Sequence, residues 1–483
     1  MKLGDKKMVV YLVGAGPGDP ELITIKAKRL IKKADVLIYD RLVSDVIVSW
    51  APPNCKLIYM GKRDEDSNIS QQVQKDIISI LLKYGHDQNV VRLKGGDPFI
   101  FGRGGEEALA CVNAGINFEI VPGISSFYAA TAYAGIPVSQ RNFNSVFAVL
   151  TGHESLKAKS AIDWSKLPET IIILMGVSKI QEIAKNLLAT GRDKKTPVAA
   201  IEWGTTHKQK TLITTLGNLA SGIEGLNPPT VFIIGSIVKL HSSLNWFEKK
   251  MKAASGKKIV LTRARSHMVE SEKILKTYDI KPIVMPLIEI ASRDFEIPKI
   301  NDYNALVFTS FEGVKRVGVK VDLKSFKGLI FAIGPKTRSA LLKNYGLNAF
   351  IGESYNSKGL GIHILNNLNK GSKVLLFRSS AATKTLADML STKFDVMEVY
   401  VYDIKSLPAD SKLIKGADAV FVMSATCAKS LGQLDHYLLE EITVVSIGPE
   451  TSRYLTTPYI TATEHTIEGM MDIYLNYIWR ELA

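Results

Sequence analysis

The second half of this chain repeats itself. Phe308-Thr309-Ser310 and Val422-Met423-Ser424 both end apolar runs, and Ile333-Gly334-Pro335-Lys336-Thr337 returns as Ile447-Gly448-Pro449-Glu450-Thr451 at the same offset of 114 residues. Leu261-Thr262-Arg263 and Leu376-Phe377-Arg378 match at 115, and the segments around Gly359 and Gly469 at 110. Four matches in one order mean two similar units of about 110–115 residues, not one large core. At 483 residues the whole chain is too long for a single core and is expected to hold two to four domains.

The first half alternates instead. Met8–Val13 is a short apolar run ending in glycines, which reads as a buried strand and a loop. Glu21–Lys33 has helical periodicity, and Ala34–Tyr39 is a second strand that stops at Asp40. Further strands are expected at Lys56–Met60, Asn89–Leu93, Asn117–Val121, Ser145–Leu150, Thr170–Met175, Pro197–Ile201 and Thr230–Ile234, with helical patterns between many of them. Such alternation indicates an α/β fold with largely parallel strands. Residues 242–257 break it: they are polar, basic and end in small residues, and they read as a linker with room for one helical turn. The expected domains are therefore 1–241 and 258–483.

Between Arg92 and Glu107, sixteen residues include five glycines. Gly contributes little to a core and loses the most backbone entropy on folding, so such a run belongs where backbone approaches a ligand. Asp97, Arg103 and Glu106 flank the glycines, which makes that ligand polar. The earlier Gly14-Ala15-Gly16-Pro17-Gly18-Asp19 also follows a strand, but Asp19 stands where a dinucleotide fingerprint needs its third Gly. A tight strand–helix turn is the bland alternative for that loop.

A formal charge of +14 favours an anionic partner: nucleic acid, an acidic membrane, or a polycarboxylate or phosphate substrate. The basic pairs are short and scattered, and no aromatic-studded basic stripe marks a nucleic-acid binder. Cys55, Cys111 and Cys427 lie far apart, with neither zinc-site nor disulfide spacing. No apolar stretch reaches about 18 residues and the first residues are charged, so neither a membrane span nor a signal peptide is expected. The reducing cytosol is the default compartment.

The segment Leu12–Thr24, with Gly14-Ala15-Gly16-Pro17-Gly18-Asp19-Pro20 inside it, and Ala34–Val43 resemble the opening of the tetrapyrrole methyltransferases. Gly61-Lys62-Arg63 and Arg92–Glu107 narrow the resemblance to the uroporphyrinogen-III C-methyltransferases. Val121-Pro122-Gly123-Ile124-Ser125-Ser126, Ala134-Gly135-Ile136-Pro137, Thr151-Gly152-His153, Leu174-Met175-Gly176 and Glu202-Trp203-Gly204-Thr205 follow in the family's order, over residues 8–240. The resemblance implies two α/β subdomains with S-adenosyl-L-methionine (SAM) in the cleft between them, S-adenosyl-L-homocysteine as a product, and no metal. It implies SAM contacts at Pro17, Gly95, Gly96, Asp97, Ile100, Ser125, Ser126, Met175 and Gly204. It also implies a carboxylate base at Asp40, a proton donor at Lys62, a substrate carboxylate on Arg103, and a homodimer formed through this half. Each role has a plainer alternative: a helix N-cap for Asp40, a solvated lysine for Lys62, and an internal pair with Glu106 or Glu107 for Arg103. Gln140 departs from the His common in the family and leaves the substrate contacts there open.

Lys258–Arg265, with the two repeated motifs, resembles uroporphyrinogen-III synthase, a family of two flavodoxin-like α/β domains. Its chain crosses once each way, here near Pro286–Ile290 and Val399–Asp403, which would join 258–290 with 403–483 and leave 291–402 as the second domain. The substrate would be hydroxymethylbilane and the product uroporphyrinogen III, both bearing eight carboxylates, which suits the positive charge. Water loss from the bilane needs an acid. Tyr402 aligns best with the family's tyrosine, and Tyr400 is a close competitor. Thr309, Ser310, Thr337, Ser379, Ser424 and Thr451 would supply hydroxyls or backbone N–H groups to the carboxylates, or serve equally as turn residues and helix caps. Phe311-Glu312-Gly313 and Phe377-Arg378-Ser379-Ser380 differ from the commonest forms. The two halves together imply a bifunctional enzyme that makes precorrin-2 from hydroxymethylbilane. The competing expectation is a methyltransferase with a catalytically silent C-terminal substrate-binding module.

Overall fold

Short runs of β-branched and aliphatic residues become strands buried on both faces, as parallel sheets covered by helices require. Val10–Gly14 (β1) and Thr170–Leu174 (β7) are of this kind. The computed structural model describes residues 8–52, 55–61, 67–152, 162–352 and 356–481. These form two compact units, Met1–Lys252 and Ala253–Ala483.

The first unit holds two five-stranded sheets. In one, Val36–Tyr39 (β2), Lys56–Tyr59 (β3), Val90–Lys94 (β4) and Phe118–Val121 (β5) join β1 in the order β3-β2-β4-β1-β5, all parallel. Its strands therefore deliver their following loops to one edge, where open α/β sheets place ligands. The other contains Phe147–Thr151 (β6), Pro197–Glu202 (β8), Lys210–Thr215 (β9) and Thr230–Ile234 (β10), in the order β6-β7-β10-β8-β9. Only β6 and β7 are parallel there; β10 runs antiparallel to both β7 and β8, and β8 to β9. Largely parallel strands were expected throughout, and this sheet corrects that. Strand β9 was not expected at all, because it lies on an edge with Leu212 and Ile213 exposed and lacks a continuous buried run.

The segment expected as a linker carries more structure than one helical turn, and the boundary between the two units falls inside it. Helices His241–Leu244 and Phe247–Ala253 occupy most of 242–257, Trp246 Nε1 donates to Ala132 O at 3.1 Å, and Phe247 packs 4.8 Å from the Tyr133 ring. Polar composition hid the two aromatic anchors that fix this segment to the first unit.

The second unit shows the repeat as architecture. Lys258–Leu261 (β11), Lys281–Val284 (β12), Ala419–Val422 (β18), Thr443–Ser446 (β19) and Ile460–Thr461 (β20) form the parallel sheet β12-β11-β18-β19-β20. Ile288–Ser292 (β13), Ala305–Phe308 (β14), Leu329–Ala332 (β15), Lys373–Ser379 (β16) and Asp395–Ser406 (β17) form β13-β17-β16-β14-β15. The repeated motifs superpose β11 on β16, β18 on β14 and β19 on β15, so both sheets share one order. β13 is the addition, antiparallel to β17. That pairing keeps β17 in its sheet to Ser406, and the return passage lies there, with Leu407 N bonded to Leu287 O at 2.9 Å, not at Val399–Asp403.

Candidate active site

At the edge of the first sheet three loops meet through glycines. A Cβ on Gly14 would lie 2.6 Å from Gly123 Cα and from Gly96 O; one on Gly123 would lie 2.4 Å from Gly96 O. Gly96 also has φ +68°, in the left-handed region. Gly16 and Gly96 exchange backbone hydrogen bonds at 3.2 and 2.7 Å, lacing the loop after β1 to the loop after β4. Asp97 completes the junction: one carboxylate oxygen accepts from Phe99 N at 2.7 Å and the other from Gly123 N at 2.9 Å. Beside it opens a cavity of about 340 Å³ lined by Asp97, Ile100, Gly123–Ser125, Phe127 and Tyr128.

Three expected cofactor residues thus share one cavity: Asp97, Ile100 and Ser125. Ser125 stands at the N-cap of helix Ser126–Tyr133 without a capping hydrogen bond, so its hydroxyl is not committed there. Ser126 begins that helix and Gly95 adjoins the junction, against Leu42. Gly204 has a packing reason of its own, since its Cβ would meet Ala130 Cβ at 2.4 Å. Pro17 lies in a loop tied to the second subdomain, where Asp19 N donates to Thr205 Oγ1 at 3.2 Å and Tyr133 OH to Asp19 Oδ2 at 2.8 Å. Met175 directly follows β7, with φ +51° and 45% exposure. A non-Gly residue held there costs about 1–3 kcal/mol, which a binding surface would justify.

Asp40 lies at the end of β2, 31% exposed, with Arg92 Nη2 at 2.9 and 3.0 Å from its two oxygens. Arg92 itself is 2% exposed. Behind it, Glu107, fully buried on helix Gly104–Asn113, accepts from Lys94 Nζ at 2.7 Å and Gln74 Nε2 at 3.3 Å, with Arg92 Nε 3.5 Å away. Burial and the neighbouring Arg92 hold the Lys94 ammonium below its ordinary pKa, against the pull of Glu107. None of Arg92, Lys94 or Glu107 was expected to form a network. The signal was present: two cations two residues apart in a strand otherwise apolar must share one buried face.

Arg103 does not face outward with an open fork. Its Nε and Nη2 bind both oxygens of Glu106 at 2.8 and 2.7 Å, which is the plainer alternative, since an (i, i+3) helical pair is within reach. Lys62 lies outside the described residues.

In the second unit Tyr402, 7% exposed, donates to Ser310 Oγ at 3.0 Å and has Ser379 as a second hydrogen-bonding neighbour. Burial pushes its phenol pKa up, partly offset by those two serines, which keeps the proton on. Arg316 lies over its ring at 5.8 Å. Tyr400 is less buried and sits beneath Arg293 at 5.9 Å. Ser310 and Ser424 each cap a helix, accepting from Gly313 N at 3.0 Å and Cys427 N at 3.2 Å. Thr309 donates to Phe377 O at 3.2 Å, and Thr337 and Thr451 are buried in first turns of helices. The structure therefore gathers Tyr402, Ser310 and Ser379, while Thr309 and Ser424 do local structural work.

Among the described residues no cluster of His, Cys, Asp and Glu is arranged to hold a metal ion, and no helix is long and apolar enough to cross a membrane. A family model described as Tetrapyrrole (Corrin/Porphyrin) Methylases matches residues 9–220, and one described as Uroporphyrinogen-III synthase HemD matches 269–472. The uroporphyrinogen-III C-methyltransferase of Bacillus subtilis (strain 168) is 47% identical over 249 residues, covering 50% of this chain and 96% of that protein. The porphyrin biosynthesis protein HemD of Ruminiclostridium josui is 31% identical over 502 residues, covering 96% and 97%. An S-adenosyl-L-methionine-dependent uroporphyrinogen III methyltransferase of Methanosarcina barkeri is 44% identical over 241 residues, covering 49% and 94%.

Proposed function

The chain belongs to the uroporphyrinogen-III C-methyltransferases through its first half and to the uroporphyrinogen-III synthases through its second, and on that footing we propose that one polypeptide converts hydroxymethylbilane to uroporphyrinogen III and then to precorrin-2. The observation that carries the methyltransferase part is the cavity beside the Gly14–Gly96–Gly123 junction, where backbone and Ser125 face the same space as Asp97 and Ile100. Close backbone and an uncommitted hydroxyl suit a polar ligand such as SAM, which supplies an electrophilic methyl group when bound. The chain aligns the electron-rich pyrrole carbon with that methyl, because proximity is the main requirement of such a transfer. For each methyl cation gained the macrocycle loses one proton net, which Asp40 accepts; Lys62 is the acid for the accompanying tautomeric shift and regains from the macrocycle the proton it lends. Arg103 reaches a substrate carboxylate by exchanging Glu106 for it.

Asp40→Asn removes the base while keeping the size of the side chain. Methyl transfer to uroporphyrinogen III is expected to fall by about 10²–10⁴ in single-turnover assays. An unchanged rate would remove Asp40 from the chemistry.

In the synthase half Tyr402 is the proposed proton donor to the departing hydroxyl of the bilane, acting from an enclosed site that shields the cation formed. For Tyr402→Phe, isomer III formation is expected to drop on the order of a hundredfold; Tyr400→Phe is the matched comparison, and the larger loss identifies the donor. The whole proposal is tested by anaerobic incubation with hydroxymethylbilane, with and without SAM. Isomer III alone without SAM and a dimethylated product with it are the expected results. Isomer I alone without SAM would leave a methyltransferase with a silent second half.

A further inference from the structure

Arg263, two residues past β11, stands at the repeat position of Arg378, which lies within β16. The two arginines are treated differently. Arg378 is 2% exposed and ion-paired: Nη1 donates to Glu398 at 2.7 Å and Nη2 to Thr383 O, while its buried Nε has no hydrogen-bond partner. Glu398 is the register neighbour of Leu376 on β17. Its counterpart, the register neighbour of Leu261 on β12, is Val284. The first copy kept the arginine and has no acid for it.

One acid, Glu270, acts on Arg263 electrostatically, but it makes no ion pair with it. Among the described residues Arg263 makes no hydrogen bond or ion pair, although it is partly buried and burial disfavours its charge. Glu270 is ion-paired with Lys336, so its charge is shared between the two cations, and Glu312, which acts on the nearby His267, is ion-paired with Arg316 at 2.8 Å. His267 is driven toward neutrality by burial and by Arg263 and Lys336. A guanidinium keeps its charge and has five N–H donors in a fixed fork, so partial burial without a partner is costly unless an anion completes it. The base beneath it is firm. Thr262 is fully buried, its hydroxyl donates to Phe421 O at 2.8 Å, and its carbonyl accepts from Cys427 Sγ at 3.1 Å. His267, on which Arg263 acts electrostatically, packs 6.2 Å from Phe311, the residue after Ser310, and this links the Arg263 side to the Tyr402–Ser310 pair.

We propose that Arg263 binds a carboxylate of the linear tetrapyrrole in the synthase half, a role resting on the synthase reading above. The fork takes an acetate or propionate side chain bidentately, in the place Glu398 holds for Arg378. Arg263 is thus a substrate-positioning residue, separate from the proton donor.

The test uses the full chain, hydroxymethylbilane without SAM, and initial rates of isomer III formation. Arg263→Gln is expected to raise KM about 10- to 100-fold with kcat within about threefold, the loss of one charge-assisted bond made in ground and transition states alike. Arg263→Lys recovers part of this, since charge remains and the fork is lost. Val284→Glu supplies the missing acid, should capture Arg263, and is expected to raise KM similarly, with the Val284→Glu/Arg263→Gln double variant no worse than either. Thermal unfolding of the full chain, followed through the second unit, is the folding control. Unchanged KM in Arg263→Gln and Val284→Glu, or a fall in kcat alone, overturns the assignment. Failure of the unaltered chain to form isomer III overturns the synthase reading with it, and the wild-type arm distinguishes the two.

Discussion

Gly123→Ala is expected to abolish methyl transfer, while Gly105→Ala, in the same glycine-rich neighbourhood, leaves it intact. The added methyl at 123 would sit 2.4 Å from Gly96 O and 2.7 Å from Gly14 Cα. Both obstacles are backbone, so no rotamer change relieves them, and the three loops must separate. Overpacking of this kind costs about 1–3 kcal/mol or more, and the displaced loops are those that line the cavity with Asp97 and Ser125. At Gly105 the same methyl meets nothing within 4 Å and lies in helix Gly104–Asn113, where Ala is preferred by up to about 1 kcal/mol. Thermal unfolding and single-turnover methylation of both variants check this. Equal behaviour of the two would mean the junction is not what shapes the site.

Glu107→Gln is expected to lower the stability of the first unit by about 3–5 kcal/mol, because it leaves Arg92 and Lys94 buried against a neutral amide. Denaturant titration followed through the first unit measures it. Glu107→Gln/Lys94→Met removes the orphaned cation as well and is expected to regain much of the loss, which a double-mutant cycle resolves. The pH dependence has a definite sign. Lys94 in the folded state binds its proton less readily than the ordinary lysine value of 10.5. The unfolded chain therefore holds more protons between the folded value and 10.5, and stability rises with pH through that window. Losing Glu107 lowers the folded value further and widens the window, so the variant's deficit should shrink in alkali.

The sequence disclosed its strands where burial on both faces made them continuous, as in Thr170-Ile171-Ile172-Ile173-Leu174. It concealed β9 and the helices after residue 240, whose fixing contacts are a few apolar side chains among polar ones. The repeat was legible from motif offsets alone because strand ends and helix caps recur with the sheet order they build. In the site, the glycines announced a close approach of backbone, but not that Gly14, Gly96 and Gly123 approach one another. Residue types also left roles unresolved: Arg103 and Glu106 looked equally suited to a substrate and to each other, and in the structure without substrate they bind each other. Arg92 escaped notice because its partner Asp40 is 52 positions away.

The passages at 285–287 and 407 also set an order of events during synthesis. β11, an interior strand of its sheet, leaves the ribosome with only β12 available, and its other neighbour, β18, begins at residue 419. At about 5–20 residues per second that wait is on the order of ten seconds or more. The whole β13–β17 sheet is complete by Ser406 and can form meanwhile. The nascent chain thus holds an apolar strand half-covered for most of the second unit's translation, and a pause or truncation between 292 and 419 would expose it to chaperones or to other chains.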